Sequence, residues 1–229
     1  MRDVDWVVEK IAGVRPLVSG VIFSGGEPTM QGEPLAALAR AAREMGLLVG
    51  IQTNGYFPET LRQLLAERLL DRVALDYKSR WEGFSKRWEG YGSVCMDDYT
   101  RQVRRSIELC QEAHVAGTLA SFEVVLTVFW GNEKEILAIE KELPRGTIVL
   151  QQGVHKRFWK DWTLTGEAKK KNLLPAEEAK ELRPPLSFEE LFALAAKMVR
   201  VGRTIRIRTR ETGEVTYEGD RGRWVPCER

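Results

Sequence analysis

The sequence predicts an α/β protein in which helices alternate with the strands of a parallel sheet. From residue 4 to residue 153, apolar residues recur first with helical spacing and then in short strand-like runs, and this alternation repeats along the chain. Polar and glycine-rich segments follow the predicted strands at their carboxyl ends. A helix precedes the first predicted strand. These three observations indicate parallel βαβ units, either in a partial parallel (β/α) barrel that lacks its first strand or in a domain that simply begins with a helix.

The first half of the pattern begins with a helix. Val4, Val7, Val8 and Ile11 have helical spacing, and Gly13 marks the end of this segment. The segments that follow are a strand over 18–23, a helix over 35–45, a strand over 47–51, a helix over 58–69 and a strand over 72–77. The residues closing each strand segment are glycines and polar side chains, as expected where a strand enters a loop.

The second half continues the alternation after a long loop. A helix is predicted from one apolar face, formed by Tyr99, Val103, Ile107 and Cys110. A strand over 122–129 follows, and Asn132 with Glu135 predicts a capping box for the next helix. A last strand covers 147–150. The chain therefore offers five strands for one parallel sheet.

The composition changes after the fifth strand. We expect a truncated core over 1–155, a linker or irregular segment over 156–186 and a carboxyl-terminal helix–strand appendage over 187–229. Ser187 and Glu190 predict a second capping box. The run from 204 to 209 alternates isoleucine with arginine, which is typical of a half-exposed strand.

Composition limits the function classes. The 229 residues are 43% hydrophobic and 30% charged, with a net charge of +2, so bulk charge favours neither nucleic acid nor a membrane surface. We expect a cytoplasmic protein, since no apolar run suits a membrane span and the amino terminus lacks an export pattern. Cys95, Cys110 and Cys227 are too widely spaced for a metal motif, and Cys110 is expected in the core.

The residues that could bind a ligand or take part in chemistry lie after the predicted strands. They are the segments 24–29, 52–55 and 76–78, together with Thr127 and the segment 151–153. Two glycines let a ligand approach the backbone, and Glu27 can accept from an ammonium group. Asp76 and Lys78 are two residues apart, so both face one side and suit a zwitterion. An ordinary turn at the glycines, and an Asp76–Lys78 ion pair in the barrel mouth, remain the structural alternatives.

The sequence Phe23-Ser24-Gly25-Gly26-Glu27-Pro28-Thr29 resembles the Gly-Gly-Glu-Pro motif of radical-SAM enzymes, especially activating proteins of the anaerobic ribonucleotide reductase. The segments 52–55 and 75–78 resemble the next two strand ends of that family. The resemblance covers about 4–153. It implies S-adenosylmethionine as cofactor, a glycyl-radical enzyme as partner and a separate electron donor. The residues that it implies for S-adenosylmethionine are Gly25, Gly26, Glu27, Pro28, Thr53, Asn54, Asp76, Lys78, Thr127 and Gln152.

The same resemblance implies a 4Fe–4S cluster held by a Cys-x3-Cys-x2-Cys loop after the first strand. This motif is absent from the 229 residues, so we identify no catalytic or metal-binding residue. We expect that the chain as given cannot assemble the cluster or cleave S-adenosylmethionine reductively, because either its reading frame starts late or its gene has lost its front. We also expect self-association through the unpaired edge of 18–23.

The sequence leaves two other functions open. One is a non-catalytic remnant that binds S-adenosylmethionine or a partner protein. The other is a barrel lyase in which Lys78 forms a Schiff base, which leaves the Gly-Gly-Glu-Pro segment unexplained. Calorimetric titration tests the first function, and borohydride trapping tests the second.

Overall fold

The structure is a computed structural model that describes residues 3–77, 96–154, 184–199, 202–218 and 223–226. The chain divides into two compact units. The first comprises 1–125 and 144–148, and the second comprises 126–143 and 149–229. Strands β4 (Ser121–Val128) and β5 (Gly146–Gln152) contribute residues to both units.

The first unit follows the predicted alternation of helices and strands. Its other elements are α1 Val4–Val14, β1 Gly20–Phe23, α2 Gly32–Glu44, β2 Leu48–Thr53, α3 Pro58–Ala66, β3 Arg72–Asp76 and α4 Met96–Val115. Asp3 caps α1 by accepting from the Asp5 amide at 2.7 Å. Short 3-10 helices at Arg15–Leu17 and Pro28–Met30 follow α1 and β1 respectively. The sequence therefore predicted the type and order of the described α-helices and strands of this unit, and it did not predict the two 3-10 helices.

Strands β1 to β4 form a parallel sheet in chain order. The register pairs Phe23 with Ile51, Thr53 with Leu75, and Leu75 with Val124. Parallel pairing brings the carboxyl ends of these strands to one edge of the sheet. The α/β class predicted from the sequence is confirmed.

The core of the first unit lies between this sheet and its helices. On β2, Val49 and Ile51 are buried, and α2, which contacts β2, buries the small residues Ala36, Ala39 and Ala42. Alanines on the buried helix face let the helix axis lie close to the strands. Cys110 is fully buried on α4, as predicted.

Strand β1 stands at the end of the strand order. Among the strands that the structure describes, it pairs with β2 alone. Ile22 is 55% exposed and Leu48, on the neighbouring strand, is 60% exposed. These apolar side chains lie next to the backbone edge that the sequence analysis expected to be unpaired.

The second unit contains α5 Glu133–Glu142, α6 Phe188–Ala196, β6 Arg203–Thr209, β7 Gly213–Glu218 and β8 Arg223–Pro226. Its strands β6, β7 and β8 pair antiparallel. The capping box of Ser187 and Glu190 is present at the start of α6. Ile205 and Ile207 are buried, which confirms the alternation predicted for β6.

Two details of the second unit differ from the sequence-based expectations. The side chain of Asn132 makes no cap hydrogen bond; it accepts from the Phe129 amide at 3.0 Å and donates to the Thr127 carbonyl at 3.3 Å, so the predicted capping box does not form. The appendage also has more strands than predicted. Gly213, at φ 72°, begins β7, and its positive φ suits the turn that follows β6.

No helix among those that the structure describes has the length and apolar character needed to cross a membrane.

Candidate functional site

The turn after β1 is built from glycines in conformations that other residues avoid. Gly25 has φ 92° and Gly26 has φ 57°. A Cβ placed on either residue would meet no atom within 4 Å. The glycines are therefore required by backbone conformation and not by crowding, and the space above the turn is open.

The carboxylate of Glu27 joins this turn to the turn after β2. Its Oε1 accepts from the Thr29 amide at 3.0 Å, from the Thr29 hydroxyl, and from the Thr53 hydroxyl at 2.6 Å. Its Oε2 accepts from the Asn54 amide at 2.7 Å. Hydrogen bonds to a carboxylate are stronger than those between neutral groups, so this connection fixes the two turns against each other.

The turn after β2 is itself tightly constrained. Thr53 is 3% exposed, and its hydroxyl also accepts from the Gly55 amide at 3.0 Å. The Asn54 Oδ1 accepts from the Tyr56 amide at 2.9 Å. Gly55 has φ 74°, and a Cβ there would approach Leu75 to 3.0 Å. Both the backbone angle and the packing against β3 therefore require glycine at position 55.

Helix α4 contacts the same turn from the side. The Ser106 hydroxyl donates to the Gly55 carbonyl at 2.6 Å, and the Tyr99 hydroxyl donates to the Asn54 carbonyl at 3.4 Å. The Tyr56 ring stacks on the Tyr99 ring with centroids 5.9 Å apart. Ser106 and Tyr56 could not be predicted from the sequence as residues of this turn, since only the tertiary fold brings the helix to it.

Tyr56 also forms a hydrogen bond with a carboxylate on α4. The Tyr56 hydroxyl donates to Asp98 Oδ2 at 3.0 Å. This hydrogen bond to Asp98 raises the pKa of Tyr56 above its ordinary value. The pKa of Asp98 is lowered, first by the hydrogen bond from Arg101 and next by that from Tyr56.

Asp76 ends β3, beside the turn after β2, because Leu75 pairs with Thr53 in the sheet. It is partly buried. Its predicted companion Lys78 lies outside the described residues, so the interpretation of the two as a zwitterion site or as an ion pair stays a prediction. The Schiff-base hypothesis for Lys78 likewise stays open.

Thr127 and Gln152 belong to the second unit. The Thr127 carbonyl accepts from Asn132, and the Gln152 amide donates to the Leu186 carbonyl at 2.8 Å. Gly153, next to Gln152, lies close to its neighbours: a Cβ there would come within 2.6 Å of the Val128 carbonyl. Residues 25–28 and 53–54 therefore lie together in the first unit, whereas Thr127 and Gln152 lie in the second unit.

The described residues offer an open backbone to a small ligand, and they offer no set of side chains that could hold an iron–sulfur cluster. The open backbone of Gly25 and Gly26 suits the close approach of a small ligand. Within the described ranges, no group of three His, Cys, Asp or Glu side chains could hold a metal ion. Cys110, the cysteine in these ranges, is buried, and burial raises the pKa of its thiol to about 12. A cluster ligand must be a thiolate, so Cys110 does not fit that role.

The Gly-Gly-Glu-Pro turn, by which the sequence resembles radical-SAM enzymes, lies at the carboxyl edge of a parallel α/β sheet. The chain is 33% identical over 99 residues to a protein of Methanocaldococcus jannaschii that is named as a glycyl-radical enzyme activating enzyme. It is 32% identical over 73 residues to a 7-carboxy-7-deazaguanine synthase of Thermococcus kodakarensis. These relatives confirm the resemblance to the radical-SAM superfamily. No family profile matches the chain.

The similarity is partial in sequence and broader in fold. The matches cover 42% and 32% of this chain, and 39% and 28% of the two relatives, so the chain spans well under half the length of either. A solved structure of TYW1 with a lysine–pyruvate adduct bound aligns over 96% of this chain and 70% of its own, with a TM-score of 0.55 at 14% identity. At that identity the likeness concerns the fold alone.

Proposed function

We propose that the chain carries the S-adenosylmethionine site of a radical-SAM activating protein. Its partner is a glycyl-radical enzyme similar to the anaerobic ribonucleotide reductase, and an electron donor completes the system. The observation that carries the proposal is the joint formed by Glu27 between the Gly-Gly-Glu-Pro turn and the Thr53–Asn54 turn. The relative named as an activating enzyme supports the choice of partner class.

In this proposal the residues have different tasks. The backbone of Gly25 and Gly26 meets the methionine amino group, because both residues are exposed and leave open space above them. Glu27 and Thr53 orient the site, since their oxygens already accept and donate within the protein. Asn54, Asp76 and Lys78 line the methionine and ribose region. When bound, S-adenosylmethionine supplies a sulfonium whose reductive cleavage starts radical chemistry.

The proposal also includes the residues that the family resemblance assigns to the ribose and adenine. Thr127 and Gln152 lie near the ribose and adenine in this proposal. Their positions near the carboxyl ends of β4 and β5 support it, because carboxyl ends of parallel strands carry ligand sites in α/β folds.

Calorimetric titration with S-adenosylmethionine tests the site. The native chain should bind S-adenosylmethionine, and Gly26→Ala should weaken binding by roughly tenfold or more. The Cβ of alanine would occupy space that the ligand needs, and the φ of 57° is strained for alanine. Gly117→Ala is the matched control. Gly117 has φ 73° and equally open surroundings, but it follows α4 away from the turns, so affinity should not change. Equal loss in both variants would contradict the proposal.

The chain's lack of a close cysteine triplet favours a second function, that of a non-catalytic protein that binds S-adenosylmethionine or the partner. Anaerobic reconstitution with iron and sulfide separates the two. We expect no stable uptake, whereas about four irons per chain with thiolate–iron absorbance would support the catalytic function.

A further inference from the structure

The buried hydroxyl of Ser106 connects helix α4 to the turn after β2. Its Oγ donates to the Gly55 carbonyl at 2.6 Å, across 51 residues of sequence. Ser106 is 0% exposed, so water does not compete for this hydrogen bond. The bond is therefore one of the strongest restraints on the turn that comes from outside β2.

The turn needs such a restraint. Gly55 has φ 74° and no side chain, so its backbone has more conformational freedom than that of any other residue type. Its amide already donates to Thr53, and the Asn54 amide donates to Glu27 Oε2. The carbonyl of Gly55 is the remaining strong backbone group of that residue, and Ser106 is the donor that engages it.

We propose that Ser106 is a positioning residue for the ligand site, an inference that rests on the proposed function. By holding the Gly55 carbonyl, Ser106 orients the Asn54 amide towards Glu27. The joint between the two turns then keeps the Gly25–Gly26 backbone in the geometry that the ligand requires. Tyr99 supports the same turn through its contact with the Asn54 carbonyl.

The first test is amide hydrogen exchange measured by NMR on the full chain. In Ser106→Ala, the Asn54 and Gly55 amides should exchange roughly tenfold faster than in the native chain, because a buried carbonyl loses its donor. Ser106→Cys keeps a donor at this position, although the thiol is larger and a weaker donor than the hydroxyl, so an intermediate rate is expected. This variant also answers the question if Ser106→Ala fails to fold.

Cys110→Ala is the matched control. Cys110 lies one turn further along α4 and is equally buried, and it makes no hydrogen bond to the turn. The control should loosen packing around α4 without changing exchange of the Asn54 amide relative to other amides of the first unit. Equal acceleration in Ser106→Ala and Cys110→Ala, or no acceleration in Ser106→Ala, overturns the proposal.

The second test is calorimetric titration of the same variants with S-adenosylmethionine. Affinity should fall roughly tenfold in Ser106→Ala and stay unchanged in Cys110→Ala. If the affinity is unchanged in Ser106→Ala despite faster exchange, the positioning role is refuted. If the native chain does not bind while exchange accelerates in Ser106→Ala alone, the restraint on the turn stands and the proposed function fails.

Discussion

At the scale of single residues, Glu27 explains why the motif has a carboxylate after its two glycines. Both of its oxygens accept from donors within the protein, on two different turns. A glutamine side chain would place an NH2 group where one carboxylate oxygen lies. The hydrogens of that group would then face the N–H or O–H donors that now bind the carboxylate. The carboxylate of Glu27 therefore maintains the geometry of the site through these internal hydrogen bonds.

Glu27→Gln tests this interpretation. We expect the free energy of unfolding to fall by about 1–3 kcal/mol, because an amide cannot accept all of these hydrogen bonds. Chemical denaturation followed by circular dichroism measures the change. Glu59→Gln is the control; Glu59 is 76% exposed and pairs with Arg62 on the surface of α3, so its loss should change stability by less than about 0.5 kcal/mol. Similar losses in the two variants would refute the role of Glu27.

At the scale of elements, polar side chains in each unit connect neighbouring helices, strands and turns. Helix α4 reaches the site turn through Tyr99 and Ser106, and it binds Tyr56 through Asp98. In the second unit, β6 holds the end of α5 through Arg203, which pairs with Glu140 at 3.2 Å. Arg203 also donates to the carbonyls of Glu140 and Leu143, where a helix leaves its last carbonyls without partners.

The contact between α4 and Tyr56 predicts a pH dependence. The pKa of Tyr56 is raised above 10.0, so its hydrogen bond to Asp98 adds stability below that pH, and this contribution is lost as the pH rises through the raised value. Asp98→Asn should return the pKa of Tyr56 towards 10.0 in an NMR titration of the ring. Glu108→Gln, which alters another acidic residue on α4, should leave it unchanged; a shift of similar size there would count against the contact.

The contact between β6 and α5 predicts a large loss of stability. Arg203 is 4% exposed and Glu140 is 2% exposed by side chain, so Arg203→Ala leaves a buried carboxylate without its guanidinium. We expect about 3–5 kcal/mol of destabilisation in thermal or denaturant unfolding. The double variant Arg203→Met with Glu140→Leu should recover most of it, because the buried charge is then removed. Failure of this double variant to recover would show that the carbonyl contacts dominate.

At the scale of the whole molecule, β1 presents an apolar edge. It pairs with β2 alone among the described strands, and Leu17 before it is 85% exposed. Unpaired edges with apolar side chains favour pairing with another chain. A chain with such an edge is therefore expected to associate with itself.

Sedimentation velocity over a range of concentrations tests this expectation. The native chain should show concentration-dependent association, and Ile22→Lys should reduce it, because a charge on the edge strand opposes edge-to-edge pairing. Val115→Lys serves as the control, since Val115 is 76% exposed at the end of α4 and lies away from β1 in the chain order. A native chain that stays monomeric would contradict the expectation.

Much of the architecture could be predicted from the sequence. The α/β class, the order of the elements and the burial of Cys110 follow from the spacing of apolar residues, which directly reflects the periods of helices and strands. Strands β7 and β8 were missed because β7 has only two apolar residues, Val215 and Tyr217, and β8 is short. The capping box at Asn132 failed because its side chain forms hydrogen bonds with the earlier residues Phe129 and Thr127. Local patterns cannot reveal such competing partners.

The sequence by itself determined which segments meet at the site, because parallel strands in chain order bring the carboxyl ends of β1, β2 and β3 to one edge. Only the tertiary structure decided what each residue does there. It gave Glu27 and Thr53 to internal hydrogen bonds and brought Ser106 to Gly55 from a distant helix. Hydrogen-bond geometry depends on distances of a few tenths of an ångström between segments far apart in the chain, and no sequence period encodes those distances.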